Sequence, residues 1–201
     1  PGVDRVLLAG ARSTAERFLG WRPALPVQAL TAGRNAVIVA PSADLDRAVA
    51  DIVAGAFSRA GQAATTSSLV ILVGAVARSA RFLAQLKDAV GSLRVGPADD
   101  PLSDVGPLVE EPSGDVRRAL TVLADGERWL VEPRELDLGP ETAGRFWTPG
   151  VRTGVHAGSH LTRTAVAAPV LGILHAPTLA RAIELQNVVG SGFVAGLHTR
   201  D

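Results

Sequence analysis

The 201-residue chain has no cysteine, no methionine and no tyrosine, and of its 20 basic side chains only Lys87 is a lysine. Without cysteine there can be no disulfide, no thiolate zinc site, no iron–sulfur cluster and no cysteine nucleophile in these residues. Excess charge of either sign is missing too. The 20 basic and 20 acidic groups cancel, whereas a nucleic-acid binder needs surplus Arg and Lys to displace phosphate counterions. No apolar run approaches the ~18 residues that cross a bilayer, so no membrane partner is expected. Pro1-Gly2-Val3-Asp4 has no basic stretch leading into an apolar one and does not read as a signal peptide. The expected setting is cytoplasmic. The start without Met, running at once into an apolar segment, suggests a piece of a longer polypeptide. At 47% hydrophobic content, a chain of this size can bury about 70% of its unfolded surface without staples.

What is present alternates in period. Val3–Ala9 is an apolar run, followed by a helical stretch from Ser13 to Leu19, with Ser13 as cap and Glu16 completing a capping box. Pro23 and Pro26 break the chain. Val27–Thr31 and Ala36–Ala40 read as buried strands about a Gly33-Arg34-Asn35 kink. A helix starting at Ser42 or Asp44 carries Leu45, Val49, Ile52, Val53 and Phe57 at helical spacing. Small residues from Gly61 to Ser68 lead into a strand at Leu69–Val73, and Ala77–Leu93 is amphipathic. A Pro-rich loop spans Gly96–Pro107. A helix at Val116–Leu123, a strand at Trp129–Val131 and a loop or hairpin tip at Leu136–Gly144 follow. The chain closes with a strand at Val170–His175, a helix at Thr178–Val189 and a strand at Phe193–His198. This alternation predicts a single α/β domain over residues 1–201, with a mostly parallel sheet and helices on both faces.

The residue types reveal no catalytic centre. Neither G-x-S-x-G nor G-x-x-x-x-G-K-[ST] occurs. Gly190-Ser191-Gly192-Phe193-Val194-Ala195 fits G-x-G-x-x-A, but it follows a helix and precedes a strand. That is the reverse of a dinucleotide fingerprint, so it reads as a helix C-cap and turn. His156 and His160 are four apart, yet Gly154 and Gly158 argue against a shared helix face, and no metal site is expected. Glu110-Glu111 and Asp99-Asp100 read as solvated charge in Pro-flanked loops. Arg78 and Arg81 read as a solvent-exposed helix face. Ser67 and Ser68 lack an evident His–Asp relay and read as capping residues.

Taken in order, several segments resemble the aldehyde dehydrogenase superfamily, in particular the pyrroline-5-carboxylate dehydrogenase part and the C-terminal aldehyde-dehydrogenase-like domain of proline utilisation A proteins. They are Val6–Ala11 with Ser13–Phe18, Thr31–Val39 with Ser42–Asp46, Ala56–Gln62 with Ser67–Leu69, Val105–Val109, Trp147–Val151, Gly158-Ser159 with Thr164, Pro169–Gly172, and Ala182–Asn187 with Ala195–His198. The resemblance implies the aldehyde-dehydrogenase catalytic-domain fold with a β-hairpin flap around Leu136–Arg145. Trp129, Phe146 and Trp147 beside that flap would be either interface anchors or core. It also implies where working residues would stand. The nucleophile position of G-Q-x-C is Ala64, within Gly61-Gln62-Ala63-Ala64. The general-base position is Leu30, and the cofactor-contacting positions of E-x-F-G-P are Ala165 and Ala167. The cofactor turn reads Ala9-Gly10-Ala11.

These replacements lead to the expectation that the chain is no enzyme by itself, holds no cofactor, and has a structural, assembly or channel-covering role in a proline-catabolic protein. The alternative is a module keeping NAD or semialdehyde affinity, or a fragment of an active NAD-dependent glutamate semialdehyde dehydrogenase. The expected partners are the remainder of its own polypeptide, a catalytic domain of the family, or a second copy.

Overall fold

A computed structural model describes residues 2–10, 12–31, 33–139, 142–190 and 193–201. The chain opens with β1 (Val6–Gly10), α1 (Arg12–Trp21) and β2 (Val27–Thr31). β1 and β2 pair in parallel as a sheet of their own, from Val6 opposite Val27 to Gly10 opposite Thr31. The helix starts at Arg12, so Ser13 lies inside it and is not the expected cap.

The larger sheet begins with β3 (Asn35–Val39), which leads to α2 (Leu45–Phe57) and β4 (Ser67–Val73). Of the two caps the sequence offers for α2, Asp44 is used; its Oδ1 accepts from the Arg47 amide at 3.2 Å. α3 (Ala80–Gly91) starts three residues later than expected. Gly74–Arg78 is a 3-10 turn, and Ser79 caps the helix by accepting from the Phe82 amide. Then come α4 (Gly114–Thr121), β5 (Arg128–Val131), β6 (Glu135–Leu136), β7 (Phe146–Trp147), β8 (Gly150–Thr153), α5 (His160–Arg163), β9 (Val170–Ala176), α6 (Leu179–Val189) and β10 (Ala195–His198). β8 and α5 are not foreseen from local pattern. Flanking Pro149 and Gly154 mask a strand of only four residues.

Strand order in the main sheet is β10-β3-β4-β9-β8-β5, parallel throughout except for β5 against β8. Leu69, Val70, Ile71 and Leu72 on β4 are all 0% exposed. Successive strand residues face opposite sides, so the sheet is covered on both. That is why this strand reads as an unbroken apolar run. The α/β architecture with a mostly parallel sheet is as expected.

The hairpin expected around Leu136–Arg145 is present as β6 against β7, with Glu135 opposite Trp147 and Leu136 opposite Phe146. Pro140 and Glu141 at its tip lie outside the described residues. Phe146 and Trp147 are buried, which settles their role as core and not as exposed anchors. Against β5 sits an unforeseen ion pair. Arg152 of β8 is fully buried, with Nη1 3.0 Å from Glu127 Oε2 and its guanidinium carbon 4.4 Å from the Trp129 ring centroid. Its Nη2 donates to the Ala119 carbonyl at the end of α4. Burial pushes the Arg152 pKa down, and Glu127 pulls it back up. One guanidinium thereby ties α4, β5 and β8 together.

Candidate functional site

The segment Arg59–Thr66, between α2 and β4, carries left-handed backbone at three successive residues. Arg59 (φ 53°, ψ 33°) and Ala60 (φ 53°, ψ 35°) are the described non-glycine residues with positive φ, and Gly61 (φ 70°) continues the left-handed run. Such a conformation costs an L-residue on the order of 1–2 kcal/mol, so the surroundings must hold it. Gly61 is required here, because a Cβ at that position would overlap the Ala168 carbonyl oxygen. Ala60 is buried at 1% exposure.

Two amides supply the remaining restraint. Gln62 Nε2 donates to the carbonyls of Arg59 and Pro107, each at 3.1 Å, while its Oε1 accepts from the Val109 amide at 2.8 Å. Asn35, 1% exposed at the start of β3, donates through Nδ2 to the Ala64 carbonyl at 2.9 Å and the Thr66 carbonyl at 2.8 Å. Its Oδ1 accepts from the Val194 amide at 3.1 Å. Every polar atom of each side-chain amide has a partner, so both loops are held without an orphaned group. Gly33 lies so close that a Cβ there would stand 2.9 Å from the Ala64 carbonyl oxygen.

Of the positions singled out in the sequence, Ala167 lines a cavity and Ala64, Ala165 and Leu30 do not line it. Ala64 sits against Gly33 and Asn35. Ala167 and Gln62 line one cavity of about 230 Å³ with Leu108, Val109, Glu110 and Glu111. Ala165 lies two residues beyond Arg163, whose carbonyl accepts from Arg34 Nη1 at 3.1 Å, while Arg34 Nε donates to the Val189 carbonyl at 2.9 Å. Leu30 stands apart. It pairs with Ala9 in the small sheet and is 58% exposed. Ala11 and Ala32 lie outside the described residues, as do Ser191 and Gly192 of the glycine motif; Gly190 itself caps α6, as the sequence suggests.

The other candidates fall away individually. Ser68 Oγ and Thr66 Oγ1 are buried without a hydrogen-bond partner among the described residues, so no relay reaches them. His156 precedes α5 and His160 begins it, so the two do not share a helix face. His160 Nε2 lies 3.1 Å from the Asp115 carbonyl, which pairs only with a protonated Nε2. Among the described residues no group of His, Asp and Glu could hold a metal ion, and no helix is long and apolar enough to cross a membrane. Glu110 and Glu111 are exposed, as expected of solvated charge, but they also stand at the cavity mouth. Sequence reasoning missed Asn35 as the central restraint. Its partners are 29, 31 and 159 residues away, beyond any local signal.

Comparison with known proteins bears on the same residues. The model of the aldehyde dehydrogenase family matches residues 1–201. The proline utilization A structure from Corynebacterium freiburgense superposes with a TM-score of 0.91 at 45% identity, over 100% of this chain and 20% of that one. Malonate-semialdehyde dehydrogenase 2 of Geobacillus kaustophilus is 32% identical over 206 residues, and betaine aldehyde dehydrogenase 2 of Rhizobium meliloti is 30% identical over 207. Both alignments cover 100% of this chain but only 42% and 41% of those proteins. The expectation that the chain is no enzyme is corrected by these likenesses. Proteins similar to it along its whole length are named as dehydrogenases.

Proposed function

The chain belongs to the aldehyde dehydrogenase family, and from that premise we propose that it is the aldehyde-holding part of an oxidoreductase polypeptide. The observation that carries this is the Arg59–Thr66 segment. Three successive left-handed residues and two fully bonded amides hold a turn that packing alone would not need, and strain kept in this way marks functional sites. The cavity beside it, at about 230 Å³, is below the usual 300–1,000 Å³ of ligand pockets, which suits a small aldehyde. Glu110 and Glu111 at its mouth favour an aldehyde carrying an ammonium group over one carrying only a carboxylate, by simple Coulomb attraction.

The contribution of these residues is binding and positioning. Residue 64 is alanine and the chain has no cysteine, so residue 64 supplies no thiol. The methyl groups of Ala165 and Ala167 offer neither donor nor acceptor. The side chains at those positions therefore offer a dinucleotide no hydrogen bond.

The test uses Ala167→Cys, which stands at a position lining the cavity and introduces the sole thiol. Alkylation of that thiol should slow in the presence of betaine aldehyde, and slow less with succinate semialdehyde. Alkylation indifferent to both would sink the proposal, and stronger protection by succinate semialdehyde would remove its charge argument. A second reading, packing against the remainder of its own polypeptide, is favoured by the exposed Leu7, Trp21 and Leu30 of the small sheet unit. A raised Tm of this chain on mixing with that remainder is the expected result.

A further inference from the structure

A second cavity lies at the opposite end of the main sheet. The Arg59–Thr66 segment precedes β4, and Ala168 precedes β9, so that site sits at the amino ends of the strands. The second cavity, about 340 Å³, is framed by the carboxyl ends of β8 and β9 and the first turns of α6. In open α/β sheets the carboxyl ends are where ligands gather.

Its chemistry is one-sided. His156, His175 and Arg181 line it, Val155, Ile173 and Leu185 supply apolar wall, and no carboxylate lines it among the described residues. His156 Nδ1 accepts from the Gly158 amide at 3.1 Å, so in the neutral ring Nε2 carries the proton and is a donor. His175 is an exposed residue on a strand otherwise buried. Arg181 uses Nη1 on Glu184 Oε2 at 2.7 Å, with both side chains more than half exposed. That surface pair is weak, and the guanidinium keeps further donors. The amino end of the 11-residue α6 adds its partial positive charge at the same place.

We propose that this cavity binds a small organic carboxylate. The oxyanion is held by His156, His175 and Arg181, and its short apolar body lies against Val155, Ile173 and Leu185. The site is independent of the aldehyde cavity. Two donors that can carry charge and one that always does favour an anion, and the apolar wall distinguishes an organic acid from a bare inorganic one.

The experiment follows the histidine ring signals by NMR in the full chain while butyrate is added at constant ionic strength. Inorganic phosphate and butylammonium are added in parallel. Saturable shifts of the His156 and His175 signals with butyrate, weaker with phosphate and absent with butylammonium, are expected. His175→Ala and Arg181→Ala, both at exposed positions, should each weaken butyrate roughly fivefold or more, as the loss of a charged hydrogen bond implies, with unchanged thermal melts. No saturation, phosphate binding as tightly as butyrate, or full affinity in both variants would overturn the assignment. Ala167→Cys protection by aldehyde should be unaffected by either variant, which separates this result from the fate of the aldehyde cavity.

Discussion

β1–β2 and β3–β4 are both parallel pairs, the second with a register shift between Asn35 and Ala36, yet their surroundings are opposite. Ile71 and Leu72 on β4 are 0% exposed, whereas Leu7 on β1 and Leu30 on β2 are 74% and 58% exposed. Parallel pairing of similar length therefore carries very different energy. In β3–β4 each strand buries side chains on both faces, and that burial, at about 25 cal/mol per Å² of apolar surface, provides the stability. In β1–β2 the ladder exists with little burial behind it, and parallel pairs of this kind are normally covered on both sides. The difference teaches that the main sheet is the structural unit holding both cavities.

The largest expected effect lies within the covered sheet. Arg152→Met should cost about 3–5 kcal/mol, because it leaves the Glu127 charge buried and unpaired. The double change with Glu127→Gln should recover much of that loss in denaturant melts. If the single variant is neutral, the pair is no lock. Leu72→Ala should cost about 2–5 kcal/mol, as for other fully buried leucines. Asn35→Ala should cost about 1–3 kcal/mol by leaving buried carbonyl and amide groups unbonded, and it should speed amide exchange at Val194. Slow exchange there would show that the clasp is held elsewhere.

Leu30→Ala should stay within about 0.5 kcal/mol, as exposed substitutions do. A cost matching that of Leu72→Ala would abolish the contrast between the two strand pairs. The smallest effect is electrostatic. The Arg47 amide, then Arg200 at 3.0 Å, hold the Asp44 carboxyl below its ordinary range. A folded-state pKa lowered in this way stabilises above the unfolded value and is lost as pH falls through the folded one. Asp44→Asn keeps the cap but drops the charge. Its Tm should lie below that of the parent at neutral pH and converge with it in acid. A gap that persists in acid would refute the charge argument.

How much was legible depended on the range over which a residue acts. The β4 run and the helix face of α2 follow from neighbours within one or two turns, whereas the hairpin at Leu136 was implied by the resemblance. The Gly61–Ala64 motif stood out by its resemblance, whereas the meeting of Gln62 and Ala167 in one cavity is a tertiary result. Arg152 was illegible, since an arginine in a short strand gives no sign of facing inward. So was Asn35, whose three partners come from two distant segments. The basic cavity was hidden for the same reason. His156, His175 and Arg181 belong to a loop, a strand and a helix, and no motif spans them.

The sequence by itself determined the class of fold, the family and the absence of a thiol, because periodicity and residue type act locally and survive any tertiary arrangement. Only the tertiary structure decided which strand pair is covered, that the Arg59–Gly61 backbone is left-handed, and that two cavities lie at opposite ends of one sheet. Those outcomes depend on which distant segments meet, and the side chains that hold them together gain their energy only once water is excluded between them.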